Sequence, residues 1–118
     1  MRAWSLGNLV EYWRPWTTQY RNGPSSLDGD DAMVCWGVLG VSRLHYTIHT
    51  GRITSKTGAG QHALERFEPR WHRIIAEALR LRAEPAPGSD YMKLSERREE
   101  VVAFVTWAIE WTLRAGAA

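Results

Sequence analysis

The segment that most constrains the fold runs from Asp31 to Thr50, because as a helix it is apolar on nearly every side. At roughly 100° per residue, four branched side chains share one narrow stripe: Val34, Val38, Val41 and Ile48. A helix with so little polar surface has to be covered by other elements. The segment therefore predicts the central helix of a bundle, capped by Asp30 or Asp31 and ended by Gly51.

Helix breakers divide the rest of the chain into further helical segments. The patterns predict helices over residues 4–20, 57–67 and 70–83, and from Ser89 or Asp90 to about residue 115. Turn formers at 21–26 and 85–88 separate these segments. We expect Pro15 to kink the helix 4–20 or to end its first half. Ser55 is expected to cap the helix 57–67, and Pro69 to lie in the first turn of the helix 70–83.

No segment shows the sustained alternation of a strand. The sequence therefore predicts an all-α fold, a single domain over residues 1–118 built as a bundle of four to five helices.

Charge and cysteine content exclude several classes of function. The net charge is only +2 and the two signs are interleaved, which disfavours a nucleic-acid interface. The single Cys35 excludes an internal disulfide and a cysteine-rich zinc site, and its apolar neighbours indicate an inert core thiol. No apolar run reaches the length of a membrane span and the N-terminus does not look like a signal peptide, so we expect a cytoplasmic protein.

One cation, Arg43, interrupts the apolar helix. Trp36, Gly40 and Thr47 share its side of the helix, opposite the valine stripe. Gly40, one turn earlier, is expected to leave space over the guanidinium. Two interpretations stay open, because a buried cation needs a partner: Arg43 forms the base of a polar cleft, or it pairs with an internal carboxylate.

The segment from Gly51 to Gly60 resembles a phosphate-binding loop but does not match the known patterns. It lacks the Walker A order of Gly, Lys and Ser or Thr, follows a helix, and lacks the third glycine of a dinucleotide fingerprint. What remains is Lys56 beside a predicted helix N-terminus, where free N–H groups and the dipole attract anions. The alternative is an ordinary surface lysine in a turn.

Other candidate sites are weaker. His45 and His49 have metal-ligand spacing, yet no third ligand is placed by the sequence, so a packed and a surface histidine are expected. His62 and His72 are isolated in sequence. No nucleophile triad or catalytic carboxylate pair is recognisable. The seven Trp predict a bulky core, with a minority lining a ligand cleft.

The stretch from Arg43 to Lys56 carries a family resemblance. Its frame is Arg43, Tyr46, Thr50–Gly51 and Lys56, followed by a helix with Ala63, Glu65 and Arg66. This frame resembles the C-terminal domain of streptomycin/spectinomycin-type aminoglycoside adenylyltransferases, and the opening residues 4–16 are similar to the start of that domain.

The resemblance implies a function shared between two domains. In that family an N-terminal nucleotidyltransferase domain supplies a Gly-Ser motif, the metal ligands and the catalytic base, and ATP and aminoglycoside meet between the domains. Arg43 and Lys56 match two basic residues of the nucleotide site. No catalytic or metal-binding residue is expected in this chain, so ATP and Mg²⁺ are expected only with a catalytic domain, present in cis or in trans. The chain alone is expected to be inactive.

The sequence departs from the family where the substrate is bound. The family places acidic aminoglycoside ligands about ten residues before the arginine, and Met33 occupies that position here. Asp30 and Asp31 lie nearby but out of register. Together with Trp36, which shares the face of Arg43, they are the candidate substrate contacts. An exposed cleft face would also favour a homodimer.

Two other classes of function stay open. Arg43 and His49 fit the Arg-x(4–6)-His spacing of helical RNase toxins, although on a helix they point about 120° apart. The third class is an interaction bundle without a ligand. Nucleotide binding requires Arg43 and Lys56 on one open surface, whereas an RNase requires Arg43 and His49 in one groove.

Overall fold

The computed structural model describes residues 2–22, 27–83 and 88–117, which form five helices and contain no strand. The predicted all-α bundle is therefore confirmed. Two predicted breaks lie partly outside the described residues: the turn 21–26, of which 23–26 are not described, and the break 85–88, of which Pro85 and Pro87 are not described. The five helices have the following bounds: α1, Arg2–Asn22, with a π-helical segment Leu9–Trp13; α2, Leu27–Thr50, with a π-helical segment Cys35–Leu39; α3, Lys56–Arg66; α4, a 3-10 turn Pro69–Trp71 followed by His72–Arg82; and α5, Leu94–Ala117.

Helix α2 is the centre of the bundle and contacts each of the other four helices. Its four predicted core residues are buried, which confirms the stripe: Val34, Val38, Val41 and Ile48. Gly51 ends the helix as predicted, with a left-handed φ of 74° and its N–H bonded to the Thr47 carbonyl. The predicted cap is wrong, because α2 already begins at Leu27 and both Asp30 and Asp31 lie inside it.

Helix α1 continues through Pro15 instead of ending there. The π-helical segment Leu9–Trp13 directly precedes the proline. Proline lacks an N–H and its ring crowds the carbonyl four residues earlier, which here belongs to Glu11. The wider π turn relieves that crowding and lets the helix continue.

The starts of α3 and α4 agree with the sequence, whereas α5 starts later than predicted. The Ser55 hydroxyl accepts a hydrogen bond from the Gly58 N–H at 3.0 Å, so Ser55 caps α3. Pro69 opens the short turn before α4. Ser89 does not start α5, because its hydroxyl donates to the Glu77 carboxylate at 2.6 Å and accepts from the Tyr91 N–H. The helix begins only at Leu94.

A buried ionic network ties α2, α4 and α5 together. Arg97 on α5 donates to Asp30 at 2.7 Å, to Asp31 at 2.6 Å and to Glu77 at 3.0 Å. Burial would raise the pKa of Glu77, but hydrogen bonds from Arg80, Ser89 and Arg97 outweigh it and hold the pKa at about 2. Below this network α5 buries its predicted apolar stripe: Val101, Phe104, Val105, Ala108, Ile109 and Thr112.

The tryptophans divide between core and surface, as predicted. Trp13, Trp16 and Trp71 are buried, and the half-buried Trp107 and Trp111 stack on each other with ring centroids 5.4 Å apart. Two others stay exposed: Trp4, with 66% of its surface accessible, and Trp36, with 41%. No helix within the described ranges is long and apolar enough to cross a membrane.

Candidate functional site

A cavity of about 500 Å³ opens between α1, α2 and the start of α3. The size lies within the range of small-molecule sites. It contains both predicted cations and the exposed Trp36. Its lining is mostly apolar and, among the residues that the structure describes, includes no carboxylate: Trp4, Ser5, Asn8, Trp13, Trp36, Gly40, Arg43, Leu44, Thr47, Ile53 and Lys56.

Local backbone geometry brings Arg43 and Lys56 into the same cavity. Arg43 lies on α2, two turns before its end. The left-handed Gly51 ends that helix, and the Ser55 cap then starts α3 at Lys56. Residues thirteen apart in sequence thus line one cavity. This is the juxtaposition that nucleotide binding requires.

Lys56 lies in a cationic and partly desolvated environment. Burial lowers the pKa of its ammonium, and the positive charges of Arg82 and Arg43 lower it further. The ammonium lies 4.6 Å from the centroid of the Trp36 ring, a cation–π contact. A bound anion would stabilise the charged form of Lys56, because it would offset the repulsion between Lys56 and the neighbouring arginines.

Arg43 is exposed at the edge of the cavity. In the part of the chain that the structure describes, its guanidinium forms no hydrogen bond or ion pair, so the internal partner considered for it is not found there. Gly40 makes room for the Trp13 ring and not, as expected, for the Arg43 guanidinium. A Cβ at Gly40 would lie 2.6 Å from the Trp13 ring, so the glycine admits Trp13 rather than the guanidinium.

The two predicted aspartates lie away from the cavity. Asp30 is buried and accepts hydrogen bonds from Tyr20 at 2.7 Å and from Arg97 and Arg98. Asp31 pairs with Arg97. Neither lines the cavity, whereas Trp36 does. Contact of Asp30 and Asp31 with a substrate stays a prediction, and the structure gives both carboxylates partners within the chain.

Three of the four histidines cluster outside the cavity. His45 is buried, and its ring lies 5.5 Å from that of His49 and 6.2 Å from that of His62. His62 is therefore not isolated. No group of three metal-ligating side chains occurs among the residues that the structure describes. His49 does not line the cavity that Arg43 enters, so the RNase arrangement gains no support.

Six residues of the cavity were not singled out by the sequence analysis: Trp4, Ser5, Asn8, Trp13, Leu44 and Ile53. The Ser5 hydroxyl is buried and has no hydrogen-bond partner among the described residues. A signal existed, because Asn8 lies four residues after Trp4 and three after Ser5, and such residues share a helix face. The sequence analysis did not use this spacing, because it interpreted the same helix from its apolar residues alone.

Residues 8–110 match the protein family described as Aminoglycoside adenylyltransferase, C-terminal domain. The chain belongs to this family. The match spans most of the 118 residues and confirms the resemblance seen between Arg43 and Lys56. Trp4 and Ser5 precede the matched range. Comparisons with curated proteins and with solved structures gave no match.

Family membership makes the chain an aminoglycoside adenylyltransferase domain. The family is a C-terminal one, so a domain of this kind functions together with an N-terminal domain. Arg43, Lys56 and Trp36 all lie inside the matched range.

Proposed function

We propose that this domain binds the triphosphate of ATP through Arg43 and Lys56. It would form one wall of the cleft in which an adenylyl group passes to an aminoglycoside hydroxyl, a reaction that confers antibiotic resistance. The observation that carries the proposal is that two cations line one cavity whose described lining contains no carboxylate.

The chemistry of adenylyl transfer suits these two side chains. The acceptor hydroxyl attacks the α-phosphorus and pyrophosphate leaves, so negative charge grows on the β- and γ-phosphates. Cations held in place beforehand stabilise that charge. Arg43 offers a planar fork for two phosphate oxygens, and Lys56 offers a compact point charge. The N-terminal domain would supply the carboxylates that hold Mg²⁺ and the base that accepts the hydroxyl proton.

The aminoglycoside itself needs acidic partners, because its amino groups are protonated. The described lining of the cavity offers two cations, apolar surface and three uncharged polar side chains but no carboxylate, so it repels a polycation. The drug would therefore touch this domain at the edge of the cavity, where Trp36 is exposed. Its ammonium groups would face carboxylates of the N-terminal domain.

Titration calorimetry with Mg²⁺-free ATP at low salt tests the phosphate site. We expect Arg43→Ala and Lys56→Ala each to weaken ATP binding by about 1–3 kcal/mol, the range for charge-assisted hydrogen bonds. Matched controls are Arg114→Ala and Lys93→Ala, which remove exposed cations outside the cavity. If folded Arg43→Ala and Lys56→Ala variants bind ATP like the wild type, the nucleotide role is wrong and an interaction bundle becomes the better interpretation.

The isolated chain should not transfer adenylyl groups. The reaction needs a metal held by carboxylates, and the described residues contain no group of three ligating side chains. Incubation with labelled ATP, Mg²⁺ and streptomycin or spectinomycin is expected to yield no adenylylated drug. Robust turnover by the pure chain would contradict the proposed division of labour between the two domains.

A further inference from the structure

One aromatic ring of the cavity has no partner. Three tryptophans line the cavity. Trp13 is buried, and Trp36 is held by Lys56, by the tilted Trp13 ring at 6.0 Å and by a hydrogen bond from its N–H to the Tyr12 hydroxyl at 2.9 Å. Trp4 is 66% exposed and makes no ring contact within the described part of the chain. Its indole face is therefore available to a flat ligand.

A hydrogen-bonding group without a partner lies beside that ring. Ser5 is only 1% exposed, and its hydroxyl has no partner among the described residues although it lines the cavity. Leaving a buried hydroxyl unpaired costs free energy, so a hydrogen bond between Ser5 and a ligand in the cavity would stabilise the complex. Asn8, three residues later, adds an amide that both donates and accepts.

We propose that the cavity also holds the base of the nucleotide, stacked on Trp4 with its polar edge bonded to Ser5 and Asn8. The inference rests on the proposed phosphate site and extends it to a second group of the same ligand. Trp4 and Ser5 precede the family match at residues 8–110, and Asn8 is its first residue.

The charges and surfaces of the cavity favour a nucleotide over a polycation. A nucleotide combines an anionic triphosphate with a planar ring that carries donors and acceptors at its edge. The cavity combines Arg43 and Lys56 with an exposed indole, the apolar Ile53 and two polar side chains. Stacking on an aromatic side chain contributes to the affinity for any base, because every base has a π-face.

The first test compares Mg²⁺-free ATP with inorganic tripolyphosphate, which presents the phosphates without a base. By titration calorimetry the full chain should bind ATP about tenfold or more tightly than tripolyphosphate. Trp4→Ser should reduce ATP affinity to that of tripolyphosphate and leave tripolyphosphate binding unchanged. Met92→Ser, which alters a 95% exposed apolar side chain outside the cavity, is the matched control and should bind both ligands like the wild type.

Ser5→Ala separates a ligand contact from a structural role. The variant removes an unpaired hydroxyl, so stability to urea should be kept while ATP affinity falls about threefold to tenfold and tripolyphosphate affinity stays the same. Equal binding of ATP and tripolyphosphate by the wild type would overturn the base site and leave the phosphate site standing. An ATP preference that survives both Trp4→Ser and Ser5→Ala would also overturn it. Failure of both ligands to bind would overturn the proposed function and this inference with it.

Discussion

The imidazole of His45 lies inside the bundle, 3.3 Å from the Thr112 hydroxyl and 4.8 Å from the Trp111 ring centroid. Burial, together with the neighbouring His49, His62 and Arg66, lowers its pKa to about 4. The ring is therefore neutral in the folded chain at pH values where it is protonated in the unfolded chain.

This difference predicts a loss of stability in mild acid. Between the ordinary pKa of about 6.5 and the folded value, only the unfolded chain binds the proton, so the free energy of unfolding falls as the pH falls. From about pH 7.5 to about pH 5 we expect a loss of about 2 kcal/mol, measured by urea denaturation. His45→Gln should remove most of this dependence. A wild-type chain equally stable at both pH values would contradict the assignment.

At the scale of single residues, the sequence identified the two cations and the face of α2 that lines the cavity, but not the residues that α1 contributes. Arg43 and Lys56 were recognisable because a charge in an apolar helix and a lysine after a helix stop are local signals. The partners of Asp30 were not recognisable, because Arg97 lies 67 residues further along the chain. No local pattern indicates such a pairing, so Asp30 was predicted to cap a helix that begins earlier.

Helix α1 packs on α2 in the region of their π-helical segments. Leu9–Trp13 lies on α1 and Cys35–Leu39 on α2. Trp13 packs on Gly40 and Trp16 packs on Gly37, so each large ring of α1 meets a position of α2 without a Cβ. The glycines let the two helices approach closely, and this contact forms the back of the cavity.

Gly40→Ala is expected to destabilise the chain despite the higher helix propensity of alanine. The new Cβ would lie 2.6 Å from two atoms of the Trp13 ring, which is buried and cannot move freely. Overpacking of this kind costs about 1–3 kcal/mol, more than the gain from propensity. Gly7→Ala on α1 is the control, because nothing lies within 4 Å of its Cβ, and it should be neutral or stabilising. Urea denaturation that finds Gly40→Ala as stable as Gly7→Ala would show that the crossing is not tightly packed.

At the scale of helices, the sequence predicted the helices themselves and the ends that have a local signal. It did not predict the π-helical segments or the late start of α5. The Ser55 cap, the Gly51 stop and Pro69 at the start of α4 depend on neighbouring residues alone. The π segment Leu9–Trp13 precedes Pro15, whereas no proline closely follows Cys35–Leu39 and periodicity does not show that segment. The late start of α5 depends on Ser89 binding Glu77, a contact between helices.

At the scale of the whole molecule, Arg97 links three helices that are far apart in sequence. Its side chain is 5% exposed, and its partners Asp30 and Glu77 are 0% and 2% exposed. Burial would lower the pKa of the guanidinium, but hydrogen bonds from it to Asp30, Glu77 and Asp31 raise the pKa. Removing Arg97 would leave each of the buried carboxylates with one cationic partner fewer, Arg98 for Asp30 and Arg80 for Glu77 being those that remain.

Arg97→Met should therefore cost about 3–5 kcal/mol in the free energy of unfolding, as expected when one partner of a buried ion pair is lost. The matched control is Arg14→Met, which breaks the exposed pair between Arg14 and Glu110 and should cost about 1 kcal/mol or less. Both values come from urea denaturation at neutral pH. Equal losses for the two variants would mean that the buried network does not hold the helices together.

The central claim is that Arg43 and Lys56 hold the triphosphate of ATP in one cavity. A crystal structure of the chain with a saturating, slowly hydrolysed ATP analogue tests it most directly. We predict phosphate oxygens within about 3 Å of both the Arg43 guanidinium and the Lys56 ammonium. A triphosphate bound elsewhere on the domain, with both cations in the cavity left uncontacted, would contradict the claim.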